Sequence, residues 1–191
     1  PSADSDLWEI NFENLALKKQ DMLDAYFGME FEFFMNRYSS FALEIGHYKQ
    51  EIYTLYKDYE YDDGTPIYQD LSLSITFFEL GLKLYPLGHR KMFFPYIGGG
   101  FGLYAWKYIQ GGDFINFEDD TVTYGEARTS TLTPGFNVKM GLIYRLQRSL
   151  GFSIEARYHY LKGELSSFFE GFDKLDLSGF TFNVGVHFFL R

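Results

Sequence analysis

The chain has 191 residues, enough for one domain, and its formal charge of −9 with a pI near 4.9 argues against nucleic acid, whose binding shows as a basic patch. The absence of Cys removes disulfides and thiolate chemistry, and no apolar run is long enough for a transmembrane helix. Nor does the chain open on the basic stretch and apolar core of a secretory signal. Aromatic residues make up 21% of it (22 Phe, 16 Tyr), yet mean hydropathy is only −0.20, so the apolar side chains must be segregated.

A period of two divides the chain into eight expected strands, at roughly 7–17, 23–35, 40–56, 70–85, 92–109, 130–145, 150–163 and 178–191. In the first, Trp8, Ile10 and Phe12 alternate but Leu15 and Leu17 change phase, which leaves an amphipathic helix open there. The second sets Phe27, Met29, Phe31 and Phe33 against Gly28, Glu30 and Glu32, and the third sets Phe41, Leu43 and Ile45 against Glu44, Gly46 and Tyr48. The fourth starts with Leu71, Leu73 and Ile75 on one face and ends with Phe78, Leu80, Leu82 and Leu84 on the other, which predicts a β-bulge near Thr76 and Phe77. In the fifth, Phe93, Ile97, Phe101 and Leu103 oppose Tyr96, Gly98, Gly100, Gly102 and Tyr104. The sixth opposes Leu132, Phe136, Val138 and Met140 to Thr133, Asn137 and Lys139; the seventh opposes Phe152, Ile154 and Tyr158 to Ser153, Glu155, Arg157 and His159. The last alternates Phe180, Phe182, Val184, Val186, Phe188 and Leu190 with Thr181, Asn183, Gly185 and His187.

Apolar bands of about 9–11 residues fit strands that cross a membrane. The connections alternate between short (36–39, 86–91, 146–149) and long (56–69, 110–129, 164–177). Residues 57–69, 110–129 and 164–177 hold thirteen acidic against three basic side chains, whereas the short turns carry Arg37, His89, Arg90, Lys91 and Arg148. The expected fold is therefore all-β, an antiparallel up-and-down transmembrane barrel of eight strands spanning the whole chain, closed because an open sheet edge cannot satisfy its backbone in lipid.

With these features the chain resembles the small outer-membrane β-barrels of the OmpA/OmpX/OmpW-like superfamily. The glycine-rich strand at 95–102 and the last strand, with Asn183, Gly185, Phe188 and Leu190 at the spacing of the family's assembly signal, carry the likeness; Arg191 stands after it where the family commonly ends on an aromatic. The resemblance implies a bacterial cell outer membrane, contact with its lipids, recognition by the barrel-assembly machinery, both termini in the periplasm, and long loops outside the cell.

The inward face is expected to hold Glu30, Glu32, Glu44, Glu79, Lys83, Lys139, Arg145, Glu155 and Arg157. Five acids and four bases can nearly neutralise one another, and eight strands enclose barely enough room for their own side chains, so a self-filled ionic lumen is the simplest reading. A narrow channel or a small or hydrophobic solute transporter lined by the same groups is the alternative. His159 beside Glu155 and Arg157, or His47 and His187, would be the candidates for catalysis, but Ser153 and His159 lie roughly 20 Å apart along one strand, and no catalytic set is expected. No cofactor or metal is expected either: Asp58, Glu60, Asp62 and Asp63 with Gly64 lack EF-hand spacing, and Glu118, Asp119 and Asp120 form only an acidic cluster, weak Ca²⁺ or Mg²⁺ binding being the secondary reading. Gly98, Gly100 and Gly102 precede no helical period and so do not form a phosphate loop. The expected function is a monomeric, non-enzymatic barrel acting through its loops on an extracellular ligand, or in membrane integrity.

Overall fold

The computed structural model describes residues 5–22, 25–116, 121–165, 169 and 171–190. A helix α1 (Asp6–Asn14) and a short 3-10 turn (Lys19–Met22) precede the strands β1 (Tyr26–Asn36), β2 (Ser39–Glu60), β3 (Pro66–Leu84), β4 (Phe93–Asn116), β5 (Thr121–Arg145) and β6 (Leu150–Tyr160). A two-residue ribbon of β7 (Lys162–Gly163) and β8 (Leu175–Asp176) leads into β9 (Gly179–Phe188). Each long strand pairs antiparallel with the next, giving one up-and-down sheet in the order β1-β2-β3-β4-β5-β6-β9.

That sheet is curled. In a flat sheet β1 and β5 would lie about 19 Å apart, at 4.8 Å per strand. Instead Lys139 on β5 reaches Glu30 on β1 at 3.0 Å. The two edges do not meet: no Cα of β1 lies within 8 Å of one in β9, leaving a seam between them.

The expected first strand at 7–17 is α1, which corrects the strand count from eight to seven in the main sheet of the described residues. Leu7, Trp8, Asn11 and Leu15 recur at helical spacing and are all buried, whereas Ile10, in phase only as a strand, is exposed. The odd strand number has a second consequence. The N-terminal segment packs at the long-connection end, where Ala16 N donates to Leu55 O and Tyr48 Oη donates to Met22 O, while β9 ends beside the 146–149 turn. Residues 5–22 and the end of β9 therefore lie at opposite ends of the sheet, rather than at one end as the resemblance implies for the two termini.

Two of the three long connections are largely strand. β2 and β3 run on to a tight turn at 61–65, and β4 and β5 pair as far as Asn116 and Thr121. At 24 and 25 residues, β4 and β5 are more than twice the 9–11 residues a membrane crossing needs. Nor is there a bulge at Thr76–Phe77: β3 keeps unbroken register with both neighbours there. Its inward residues are the odd ones throughout, from Ile67 to Lys83, and what changes is their chemistry.

Candidate functional site: the filled interior

Near the short turns the outward face is apolar. Phe78, Leu82 and Leu84 on β3, Ile97, Phe101 and Leu103 on β4, and Phe136, Val138 and Met140 on β5 are all exposed. Beyond the level of Thr76, the same faces carry Ser74, Ser72 and Asp70 on β3, Lys107 on β4, and Ser130, Arg128 and Glu126 on β5. The inward face does the reverse. Its lower part is ionic and its upper part is an apolar core.

The ionic part is one connected network. Arg157 on β6 spans the interior to Glu44 on β2 with both terminal nitrogens, at 2.8 and 2.7 Å, and also contacts Glu155 at 2.7 Å and Glu79 at 3.4 Å. Lys139 bridges Glu30 at 3.0 Å and Glu44 at 3.2 Å, and Lys83 pairs with Glu30 and, at 3.5 Å, with Glu32. Neutral donors take the remaining carboxylate lone pairs. Tyr96 Oη donates to Glu155 at 2.6 Å, Asn183 to Glu155 at 3.0 Å and Asn137 to Glu79 at 2.8 Å, while Tyr104 donates to Glu79 and Tyr85 and Ser40 to Glu32. Lys83, Lys139 and Arg157 are almost fully buried, a state a cation keeps only when its partners replace water completely.

Eight of the nine expected lumen charges join this network. Arg145 does not: its guanidinium lies over the rings of Phe189, at 4.2 Å, and Phe94, at 5.2 Å, close to the short turns. Tyr85, Phe94, Tyr96 and Ile143 with Phe189 form an aromatic floor under the network. Above it, Tyr26, Phe77, Tyr104 and His159 form an aromatic layer with ring centroids 5.7–6.2 Å apart. Glycines make room for these rings: a Cβ on Gly46 would collide with the Phe77 ring, one on Gly135 would stand 2.8 Å from the Tyr104 ring and one on Gly141 2.6 Å from the Tyr96 ring. A Cβ on Gly98 or Gly100 would instead meet the β3 backbone, at 2.7 Å from Leu82 O or 2.6 Å from Leu80 O.

The upper core begins above that layer. Trp8, Leu15 and Leu17 from the N-terminal segment, Leu71 and Leu73 from β3, Trp106 and Tyr108 from β4, and Leu161, Leu175 and Leu177 from the last connection pack together. Trp8 is completely buried, stacks edge-on against Tyr108 at 5.4 Å, and donates its indole N–H to Asp176 O at 3.0 Å. A chain of amides and hydroxyls runs through this core: Asn11 donates to Tyr108 Oη (3.0 Å), Tyr108 to Gln110 (3.1 Å), Gln110 to Gln69 (2.8 Å) and Gln69 to Asp113 O (2.9 Å). Gly163 lies flat on the Trp106 indole, where any side chain would collide.

The candidate catalytic histidines fall into structural surroundings. His159 faces Glu79 at 3.5 Å and Tyr104 Oη at 3.3 Å rather than Glu155, and His47 points outward to Thr76 at 2.8 Å. One pair escaped the sequence reading: His187 Nε2 and Ser153 Oγ are 2.8 Å apart. It depends on the β6–β9 register, which sets Ser153 opposite Gly185 and so diagonal to His187, information that no single strand carries. Among the described residues no third group hydrogen-bonds the other ring nitrogen, the role a carboxylate fills in a triad.

At the assembly-signal positions, Asn183 and Gly185 face inward, and Phe188 and Leu190 are exposed on the outward face. At the β2–β3 tip, Asp63 accepts from Thr65 N at 2.9 Å, and hydrogen bonds from Thr65 hold its carboxyl below the usual range. Among the described residues no three His, Asp or Glu side chains converge as metal ligands; Glu118, Asp119 and Asp120 lie outside those residues.

A family model for the outer membrane protein beta-barrel domain matches residues 8–188. The chain belongs to this family. No curated protein and no solved structure matches it. For an outer-membrane barrel the exposed apolar band is the lipid-facing belt, and the strand extensions above Thr76 are the part that leaves the membrane.

Proposed function

We propose that this chain is a non-enzymatic, non-conducting barrel of the bacterial outer membrane whose working surface is its extramembrane half. The observation that carries this reading is the filled interior. Arg157 and Lys139 cross the lumen between β6, β5, β2 and β1, and α1 with Leu161, Phe169, Leu175 and Leu177 of the last connection occupies the long-connection end. A conducting path would have to break buried ion pairs and displace a packed apolar core, each costing several kcal/mol.

The upper half is built as a rigid platform. Its strands are cored from within by α1, so its outward face can hold fixed side chains well above the lipid. Tyr53, Tyr68 and Tyr124 are exposed there among Asp70 and Glu126. Such a surface suits an extracellular ligand held by aromatic and carboxylate contacts, with the barrel acting as a monomeric anchor and contributing to membrane integrity. The barrel-assembly machinery would read β9 during insertion, and neither nucleic acid nor a cofactor has a role.

Single-channel recording in planar bilayers tests the filled interior, with Arg157→Ala measured alongside. The expected result is no discrete openings from native protein shown to be inserted. Reproducible openings that the substitution alters would replace this reading with a narrow channel.

A further inference from the structure

Register aligns the outward residues of β2, β3, β4 and β5 into rows. Ile45, Phe78, Leu103 and Pro134 form one row and His47, Thr76, Ala105 and Leu132 the next, the last in which both β4 and β5 are apolar. Directly above come Lys49, Ser74, Lys107 and Ser130, then Glu51, Ser72, Ile109 and Arg128. The upper edge of the lipid belt thus falls one row below Lys107.

Lys107 is set apart from the other charges at this edge. Lys49 is paired with Glu51 at 2.5 Å, but among the described residues Lys107 has no carboxylate within ion-pair distance. The positions that surround it on the face are Ser74 and Ser130 beside it, Ala105 and Ile109 along its own strand, and Thr76, Ser72, Leu132 and Arg128 diagonally. None is acidic, although the chain carries a net charge of −9. A shallow outward groove of about 350 Å³ opens here, lined by Ala105, Trp106, Lys107, Ser130, Thr131 and Leu132. Trp106 is buried and turned inward, so its backbone supplies the groove floor, flanked by a cation and a hydroxyl above and apolar side chains below.

We propose that this groove is a headgroup site for a phosphate-bearing lipid of the leaflet on the long-connection side. The Lys107 ammonium and the hydroxyls of Ser74 and Ser130 donate to phosphate oxygens. An acyl chain then descends over Ala105 and Leu132 towards Leu103 and Pro134. The pattern is that of a lipid at an interface: charge complementarity at headgroup depth joined to apolar contact below it. The site stands on the outer surface and is independent of whether the lumen conducts.

The test uses the full chain folded in nanodiscs of equal phosphatidylglycerol and phosphatidylcholine, with bound lipids counted by native mass spectrometry. Native protein should retain phosphatidylglycerol in preference. Lys107→Gln should lower that preference about fivefold, the factor expected for one basic residue at an anionic surface. Lys107→Arg should keep it, and Arg37→Gln at the opposite rim should leave it unchanged. A heat-modifiable gel shift confirms that each variant is folded. A parallel titration of detergent-folded protein with inorganic phosphate separates the sources. Lys107-dependent binding of free phosphate without lipid preference would assign the groove to a soluble anion and overturn the lipid site, as would a preference that Lys107→Gln does not change.

Discussion

The lower and upper halves of this barrel are built from the same strands with opposite solvents. In the lower half lipid is outside and charge inside. In the upper half water is outside, and the inside is an apolar core closed by α1. The alternation of side chains never changes phase along β3; only the chemistry assigned to each face is exchanged at Thr76 and Phe77. A β-strand has no preferred polarity of its own, and the environment on each side sets it. Energetically the halves also differ. The lower interior depends on complete pairing of buried ions, where loss of one partner strands the others. The upper interior depends on burial and packing, where losses scale with the volume removed.

Substitutions in each half should separate these two regimes. The largest effect is expected from Arg157→Leu, which leaves Glu44, Glu79 and Glu155 short of a cation inside the barrel: about 3–5 kcal/mol lost in equilibrium urea unfolding from lipid vesicles. Val138→Arg, on the lipid-facing side of β5, should cost about 2–4 kcal/mol in the same assay if it lies at mid-membrane. Trp8→Phe keeps most of the ring packing but loses the bond to Asp176 O, which predicts about 0.5–1.5 kcal/mol, with tryptophan emission following the upper core. Glu126→Arg, on the same outward face of β5 as Val138 but above the belt, should change stability by less than about 0.5 kcal/mol. A cost for Glu126→Arg as large as that for Val138→Arg would mean that lipid reaches the upper half and that the exchange of polarity is misplaced.

Much of the lower half is legible in sequence because its alternation is simple: Phe180 to Leu190 and Phe93 to Leu103 read directly as lipid-facing positions. The upper half is harder to read. Leu71, Leu73 and Ile75 look like a lipid face followed by a bulge, because period alone cannot say which side of a strand is wet. The extensions of β2–β5 look like acidic loops, since their outward residues are polar and their inward apolar ones are few and widely spaced. Residues 7–17 hold both a two-residue and a helical period. The helix is realised because burying Trp8 beside Tyr108 needs a partner 100 residues away, which local pattern does not contain. The lumen charges are individually visible, whereas their pairing across the barrel, and the exclusion of Arg145 from it, follow from curvature that no single strand encodes.

The most direct measurement of the central claim exploits the absence of Cys. Single cysteines carrying spin labels would be placed along the outward face of β5, at Met140, Val138, Phe136, Leu132, Ser130, Arg128 and Glu126, with Ala127 and Thr129 as inward controls. Accessibility to oxygen, which partitions into lipid, and to a water-soluble nickel complex would be compared for protein in vesicles. The account predicts lipid exposure up to Leu132, water exposure from Ser130 upward, and protection from both reagents at Ala127 and Thr129. Lipid exposure continuing to Glu126, or free water access at Ala127 and Thr129, would contradict a barrel whose two halves are turned inside out relative to each other.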